Sequence, residues 1–344
     1  MQVSTIGLDV AKSVFQVHGV DASGTVVVRR RLRRGQVLTY FAGLEACLVG
    51  LEACGSAHYW ARELAALGHE VRLMPPAYVK AYVRRQKNDA ADAAAICEAV
   101  TRPSMRFVPV KTPQAQAALV LHRTRSLLVK SRTMLVNALR AHLAEFGHVA
   151  PQGSRGTAAL VALVEKRFAE AGMPAAAEPA LASLAAQIGR LNKEVDALER
   201  AIRAEHAKSE PSQRLATIPA IGPITASAIV ASVPDPALFR SGREFAAWLG
   251  LVPRQSSSGG RTILGPITKK GDRYLRSLLV IGATSLLRRR DTLSPHHRAW
   301  LERLLAKKSA RHASVALANK IARVAWAVLA KGTTYRSDEA AAPA

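Results

Sequence analysis

The fold is decided near the N-terminus, by residues 3–10, VSTIGLDV. This segment is short and rich in β-branched residues, which is typical of a strand. Residues 13–20 form a second candidate strand, and the turn signal DASG at 21–24 leads into a third at 25–34, which ends in RRRLRR. Three strands joined by short turns predict an antiparallel meander.

The pattern changes after the meander. Helical and strand-like segments then alternate, with helices predicted at residues 36–48, 57–67 and 89–100 and strands at 49–54 and 70–74. Strands followed by such alternation predict an α/β domain with a mixed sheet covered by helices. We place this domain at residues 1–105.

The rest of the chain is predicted to be mainly helical. Pro103, Pro109 and Pro113 mark a boundary, residues 114–146 read as one long helix, and a Gly/Pro/Ala-rich stretch at 151–179 interrupts it. We expect a helical assembly region at 106–210, a last helical module at 211–335 and a disordered tail at 336–344.

One helical segment carries a heptad pattern. Apolar residues recur at alternating spacings of three and four, at positions 181, 184, 188, 191, 195, 198 and 202. This pattern favours a coiled coil, within or between subunits. The alternative is a helix packed inside its own domain.

The net charge restricts the partners. The 344 residues include 49 Lys and Arg against 25 Asp and Glu, a formal charge of +24 that is spread along the chain. Such a surface repels itself unless a polyanion is near, so nucleic acid is the first partner to consider and an anionic membrane surface the second. The low aromatic content, 5%, argues against base stacking as the main binding device.

Several classes of protein are not expected. No stretch approaches about 18 uninterrupted apolar residues, so no transmembrane helix is predicted, and the N-terminus is unlike a signal peptide. The three cysteines are odd in number and lack paired metal-ligand spacing, so neither a disulfide scaffold nor a structural zinc site is expected. A reducing, cytoplasmic location fits this cysteine usage.

Four carboxylates stand out in the predicted α/β domain. Asp9 lies inside the first strand and Glu52 inside another apolar, strand-like segment, while Asp89 and Asp92 stand three apart at the start of a helix and share one face. Together they can converge on one or two Mg²⁺ ions, which prefer oxygen ligands. The alternatives are structural, because Asp89 can cap its helix and Asp9 can pair with an arginine.

Two features of the last module can contact phosphate. Residues 215–226 predict a helix-hairpin-helix-like unit around IPAIG at 218–222, or else an ordinary tight turn. Residues 250–261 include a Ser/Gly loop between cations that can present a hydroxyl to a phosphodiester, although most such loops are only flexible connections. Candidate phosphate contacts are Arg254, Arg261, Lys269, Lys270, Arg273 and Arg276.

The order of these motifs resembles a known family. GLDVAK at 7–12, LEACG at 51–55 and KNDAADA at 87–93 are followed by IPAIG, by GLVPR at 250–254, by SSGG at 257–260 and by TKKGD at 268–272. This set resembles the DEDD transposases of the insertion-sequence family numbered one hundred and ten, whose relatives include the pilin-gene inverting recombinases. The resemblance spans about residues 3–335.

The resemblance implies a Holliday-junction-resolvase-like (RNase H-type) N-terminal domain in which Asp9, Glu52, Asp89 and Asp92 bind Mg²⁺. It also implies a C-terminal domain with a nucleophilic serine directly before a glycine, here Ser258, with Ser256 and Ser257 adjoining it. The serine of one subunit of a homo-oligomer, a dimer or tetramer, would meet the acids of another. A structured bridge RNA would pair with the donor and target DNA. Ala220 stands where the family frequently has glycine.

The sequence features and the family resemblance together imply a cytoplasmic, nucleoid-associated, RNA-guided DNA transposase or recombinase without a membrane partner. Two other functions remain open. One is a junction-resolving nuclease that uses the four acids and activated water. The other is a non-enzymatic protein that bridges DNA through its long helices.

Overall fold

The computed structural model describes residues 2–83, 88–293 and 295–336. The chain divides into two compact units, Met1–Pro113 and Gln114–Ala344. Residues 114–210 of the predicted assembly region belong to the same unit as the predicted last helical module, whereas residues 106–113 belong to the first unit. The three-part division stays a prediction. Apart from Arg336, the predicted disordered tail lies outside the described residues.

A five-stranded sheet forms the centre of the first unit. Its strands are β1 (Thr5–Asp9), β2 (Val14–Val20), β3 (Val26–Arg33), β4 (Leu48–Glu52) and β5 (Glu70–Met74), in the order β3-β2-β1-β4-β5. The first three strands pair antiparallel, whereas β4 is parallel to β1 and β5 is parallel to β4. The predicted meander and the predicted mixed sheet are both confirmed.

Helices cover the two faces of this sheet. They are α1 (Val37–Ala42), α2 (Ala57–Ala66), α3 (Pro76–Val79) and α4 (Asp89–Val100). Ile6 and Leu8 of β1 pack with Phe15 and with Trp60 of α2 in the larger core. On the other face, Met74 packs with apolar residues of α4. The alternation of side chains along each strand thus separates the α2 face from the α4 face.

The helix predicted at residues 36–48 is shorter in the structure. α1 ends at Ala42, and the backbone N–H of Gly43 donates to the carbonyl of Tyr40. Residues 44–47 instead carry the chain to β4, whose Leu48 N–H donates to the carbonyl of Ser4 at 3.0 Å. Pairing with the sheet therefore replaces the last helical turn that the pattern predicted.

The second unit consists mainly of helices. A short hairpin, β6 (Pro253–Gln255) and β7 (Leu264–Ile267), interrupts them. The helices are α5 (Pro113–Ala144), α6 (Ser154–Lys166), α7 (Glu178–Lys208), α8 (Glu210–Ala216), α9 (Pro223–Ser232), α10 (Gly242–Trp248), α11 (Arg273–Arg288), α12 (Pro295–Leu305) and α13 (Ala310–Lys331). The stretch at 151–179, predicted to interrupt the helices, contains α6.

The heptad seam of α7 is buried in its own chain. Leu181 and Ile188 pack in a core with Leu139 of α5 and Leu160 of α6. Farther along the helix pair, Arg125 of α5 donates through Nε to Glu199 of α7 at 2.9 Å. The described part of the chain thus covers this seam with its own helices, and a coiled coil is not confirmed.

α13 is a long helix with an apolar composition. It is the one described helix that is long and apolar enough to cross a membrane by length and composition, and 44% of its most apolar window is buried. Leu317, Ile321 and Ala325 belong to the main core of the second unit. The apolar character of α13 is therefore accounted for by packing inside the protein.

A buried histidine joins three helices of the second unit. His122 of α5 is 1% exposed. Its Nδ1 lies 3.2 Å from the hydroxyl of Tyr274 of α11, and its Nε2 lies 3.1 Å from the hydroxyl of Ser227 of α9. Burial, with a smaller contribution from the nearby Arg125, lowers the pKa of His122 to about 4. The imidazole is therefore neutral at pH 7.

We expect this histidine to make the protein sensitive to acid. Unfolding restores the pKa of His122 from about 4 to the ordinary 6.5, so the unfolded chain binds the proton more readily. The resulting loss of stability begins as the pH falls below 6.5, and reaches about 3 kcal/mol near pH 4. Urea denaturation at pH values between 4 and 7 measures it.

The variant His122→Gln keeps two hydrogen-bonding groups but cannot titrate. We expect this variant to remove the contribution of His122 to the pH dependence of stability. The exposed His142 on the same helix is the matched control, and His142→Gln should leave the pH dependence of stability unchanged. Equal pH slopes for the wild type and His122→Gln would contradict the assignment.

Candidate active site

Two of the predicted acids lie at neighbouring strand ends. Asp9 is the last residue of β1 and Glu52 the last residue of β4. These strands are parallel and pair Leu8 with Leu51. Asp9 and Glu52 are the residues that come directly after this pair. The carboxyl ends of parallel strands meet at one edge of the sheet, and both acids therefore lie at this edge, half-buried.

The other two acids lie in the first turn of α4. Asp89 is its first residue, and Asp92 follows three residues later. The residue that caps this helix is Asn88, whose Oδ1 accepts from the backbone N–H of Ala91 at 2.7 Å. The helix is therefore capped by Asn88 and not by Asp89, the structural role considered above for Asp89. Lys87, which belongs to the same sequence motif, lies outside the described residues.

Three of the four acids meet in space. One carboxylate oxygen from each of Asp9, Asp89 and Asp92 lies within 4.8 Å of the others. Glu52 is not part of this group, although its strand position places it at the same edge of the sheet. The structure thus joins residues that are 80 positions apart in the chain.

Glycine residues determine how closely α4 approaches the sheet. A Cβ on Gly7 would lie 2.1 Å from the carbonyl oxygen of Ala93, and one on Gly50 would lie 2.8 Å from Cβ of Val100. Side chains alternate along a strand, so Gly7 shares its face with Asp9 and Gly50 shares its face with Glu52. The contact at Gly7 therefore holds the N-terminal turn of α4 beside Asp9.

The cluster fits a divalent cation. Two ligand oxygens about 2.1 Å from Mg²⁺ are at most about 4.2 Å apart, so small side-chain rotations bring the three carboxylates into a coordination sphere. Ionised carboxylates at such distances repel one another, and a divalent cation relieves this repulsion. The ligand set contains oxygen alone, which favours a hard cation.

The Ser/Gly loop joins the two strands of a hairpin. β6 and β7 pair antiparallel, and the N–H of Arg261 donates to the carbonyl of Ser258 at 3.0 Å. Between these two residues, Gly259 and Gly260 have φ values of 54° and 76°. Two successive positive φ values are those of a type I′ turn, which glycine adopts without strain. The glycines therefore make a tight turn.

The three serines of the hairpin differ in their surroundings. The N–H of Ser256 donates to the carbonyl of Ile263, and the hydroxyl of Ser257 accepts from Nε2 of Gln255 at 3.0 Å. Ser258 is exposed directly before the turn. Ser258 belongs to the second unit, whereas the carboxylates belong to the first.

The predicted phosphate contacts divide into two kinds. Nη1 of Arg276 donates to the carbonyls of Leu249 and Lys270, at 2.9 and 3.3 Å, so this side chain braces the protein's own loop. The remaining five cations are exposed on or near the hairpin. They are Arg254, Arg261, Lys269, Lys270 and Arg273.

A basic groove lies beside α13. It has a volume of about 1370 Å³, and α13 contributes Arg311, Lys320 and Arg323 to its walls. Arg243 and Lys269 also line it, and no acidic residue is found among the described residues around it. Lys269 has a φ of 55°, an uncommon value for a residue other than glycine. The sequence shows each of these cations, but only the fold brings those of α10, α13 and the segment after β7 to one groove.

The turn at residues 218–222 connects α8 to α9. Ala220 has a φ of 77°, in the region that favours glycine. The carbonyl of Ala220 also lies so near α11 that a Cβ on Gly282 would come within 2.3 Å of it. This geometry gives a physical reason why glycine suits position 220 better than alanine.

Two family models match the chain. Residues 6–148 match a model described as a transposase of the DEDD type, and residues 212–298 match one described as "Transposase IS116/IS110/IS902 family". The first match contains all four acids, and the second contains the turn, the hairpin and the predicted phosphate contacts.

Several curated proteins are similar over their whole length. A "Probable family 20 transposase" of Pseudomonas aeruginosa is 51% identical over 98% of this chain and 99% of its own. The "Transposase for insertion sequence element IS1328" of Yersinia enterocolitica is 38% identical over 97% of this chain and 98% of its own. The "Transposase for insertion sequence element IS1111A" of Coxiella burnetii is also 38% identical, over 97% of this chain and 92% of its own.

We expect Gly7→Ala to disturb the cluster without removing an acid. The added methyl group meets the backbone of α4, so the helix must shift, at a cost of about 1–3 kcal/mol. Thermal unfolding and titration with Mn²⁺ measure the two effects, lower stability and weaker metal binding. Gly35→Ala is the control, because a Cβ there has no atom within 4 Å. Equal metal affinity in both variants would contradict the role of Gly7.

Proposed function

The chain belongs to the IS110 family of DEDD transposases, enzymes that transfer DNA strands, and we propose that it cleaves and rejoins DNA through a serine ester under the guidance of an RNA. The observation that carries the catalytic part is the meeting of Asp9, Asp89 and Asp92. RNA guidance rests on the family resemblance of the motifs.

The first unit is proposed to have an RNase H-like fold of the Holliday-junction-resolvase type. Its sheet supports this, because three antiparallel strands are followed by two parallel ones in the order β3-β2-β1-β4-β5. The acids lie at the end of the central strand β1, at the end of β4 beside it and on a helix that covers this face.

Asp9, Asp89 and Asp92 would hold Mg²⁺, and Glu52 is a fourth candidate ligand from the adjacent strand end. The ion would supply electrostatic stabilisation of the charge that develops on the scissile phosphate. The role of the protein is to hold these carboxylates together against their mutual repulsion. The buried contact between α4 and β1 does this.

Ser258 is the proposed nucleophile. Its Oγ loses its proton and forms a bond to the scissile phosphorus as the bond from phosphorus to the leaving deoxyribose oxygen breaks, and that oxygen takes up a proton. One phosphodiester is thereby exchanged for another, so the reverse attack by a deoxyribose hydroxyl rejoins strands without a nucleotide cofactor. The exposed position of Ser258 before a tight turn supports this role.

The active site is proposed to combine Ser258 of one subunit with the carboxylates of another in a dimer or tetramer. The seam of α7 is buried in its own chain, but α5 leaves Val120, Leu127 and Met134 exposed at intervals of seven residues. This spacing is that of one position of a coiled-coil seam, and it supports pairing of α5 between copies.

DNA and a structured guide RNA are the proposed polyanionic partners. The charge of +24 supports this, and Arg254, Arg261, Lys269, Lys270 and Arg273 remain candidate phosphate contacts. Arg276 is better explained as a brace, because its Nη1 already donates to two carbonyls.

We expect Ser258→Ala to abolish covalent attachment of the protein to DNA. Labelled element-end DNA, the guide RNA and Mg²⁺ are incubated with the protein, and denaturing gels separate the adduct from free DNA. Asp9→Asn should also abolish the adduct, because the carboxylates assist the same step. Ser257→Ala is the matched control and should keep it.

Two results would overturn the proposal. Adduct and strand exchange that persist in Ser258→Ala would place the nucleophile elsewhere. Mg²⁺-dependent cleavage that persists in this variant, without any adduct in the wild type, would instead indicate a junction-resolving nuclease that uses water.

A further inference from the structure

The arginines of β3 are divided between the two faces of the sheet. Leu32 is buried in the core on the α2 face, and Arg30, two positions earlier, lies on the same face with its guanidinium carbon 5.2 Å from the centre of the Tyr40 ring. Side-chain alternation therefore places Arg29, Arg31 and Arg33 on the α4 face. All three are exposed.

The strand register relates this arginine row to the carboxylate cluster. Asp9 of β1 pairs with Gln16 of β2, and Gln16 pairs with Arg31 of β3. Paired residues share a face, so these three side chains form a line across the sheet. Two inter-strand spacings separate Arg31 from Asp9, or about 10 Å between their backbones.

A second line runs beside the first. Gly7 pairs with His18, and His18 pairs with Arg29. Burial lowers the pKa of His18, and the charge of Arg29 lowers it further. The imidazole is thus a neutral hydrogen-bonding group beside a cation.

A groove lies between the arginine row and α4. Its volume is about 420 Å³, and its walls include Gln16, His18, Arg29 and Arg31. Arg30 also borders the groove, but its guanidinium lies over the Tyr40 ring on the opposite face of the sheet. The helix contributes Ala90, Ala91 and Ala94, whose small side chains leave the space open. α4 is the helix that carries Asp89 and Asp92, so the groove begins next to the cluster.

The arginines of the row, Arg29, Arg31 and Arg33, make no ion pair within the described part of the chain. Successive arginines on this face are about 6.7 Å apart along the strand, close enough to repel one another. An extended row of unpaired guanidinium groups suits the backbone of a nucleic acid strand, because each can donate two parallel hydrogen bonds to a phosphate.

We propose that Arg29, Arg31 and Arg33 bind the phosphodiester backbone of the DNA strand that the carboxylate cluster processes, a few nucleotides away from the scissile phosphate. This inference rests on the proposed function of the cluster. Gln16 and His18 form the floor of the groove between the two sites. The arginines position the strand and do not touch the reacting atoms.

Arg31→Ala and Arg30→Ala test the proposal as a matched pair. The two residues are adjacent on one strand and carry the same charge, but they lie on opposite faces of the sheet. Fluorescence anisotropy with labelled single-stranded and duplex DNA, in EDTA and at several salt concentrations, measures affinity without cleavage. A single-stranded RNA of the same length shows whether the groove prefers one kind of strand.

We expect Arg31→Ala to weaken DNA binding about three- to tenfold and to reduce the slope of log K against log salt by about one. Arg30→Ala should bind nearly as the wild type does. Arg31→Lys should recover part of the affinity. Equal unfolding temperatures of the two alanine variants confirm that the comparison is one of binding.

Two outcomes would overturn the proposal. One is equal DNA affinity and salt slope for Arg31→Ala and Arg30→Ala, and the other is a loss of affinity for RNA alone. Either outcome leaves the covalent adduct at Ser258 untouched, so the inference can fail while the proposed function stands. If the wild type forms no adduct, the proposed function fails, and the binding comparison still tests the arginine row.

Discussion

The closest approach of α4 to the sheet is the contact on which the rest of the site depends. A helix can lie against β1 at this distance only because position 7 has no side chain. That contact holds the acidic first turn of α4 over the end of β1, and it brings together three carboxylates that electrostatic repulsion alone would separate. The packing energy of the small-residue interface thus maintains an arrangement that favours binding of a divalent cation.

The distribution of charge is consistent with this arrangement. The acids are concentrated at one edge of the sheet, whereas cations lie on β3, on the hairpin and around the groove beside α13. Each of these basic surfaces attracts a polyanion, and a divalent cation at the acids would allow a phosphate to approach them. The same logic explains how a strongly basic protein can have carboxylates in the catalytic centre that we propose.

The sequence predicted the features that depend on local pattern. The β-branched segments predicted the sheet, and the position of Asp9 inside a strand drew attention to the acids. The sequence could not predict features that depend on which distant residues contact a given surface. The heptad pattern of α7 specifies an apolar stripe but not that Leu139 and Leu160 cover it, and the Ser/Gly composition did not reveal that Gly259 and Gly260 form a turn. The role of His122 likewise depends on Tyr274 and Ser227, which lie more than 100 positions away.

The most direct test of the account is the position of a bound metal. Crystals of the full chain soaked with Mn²⁺ should show an anomalous scattering peak about 2.0–2.3 Å from carboxylate oxygens of Asp9, Asp89 and Asp92, and Asp9→Asn crystals should lack it. A strong peak elsewhere in the protein, or none at these three residues, would contradict the central claim that this helix–strand contact builds the metal site.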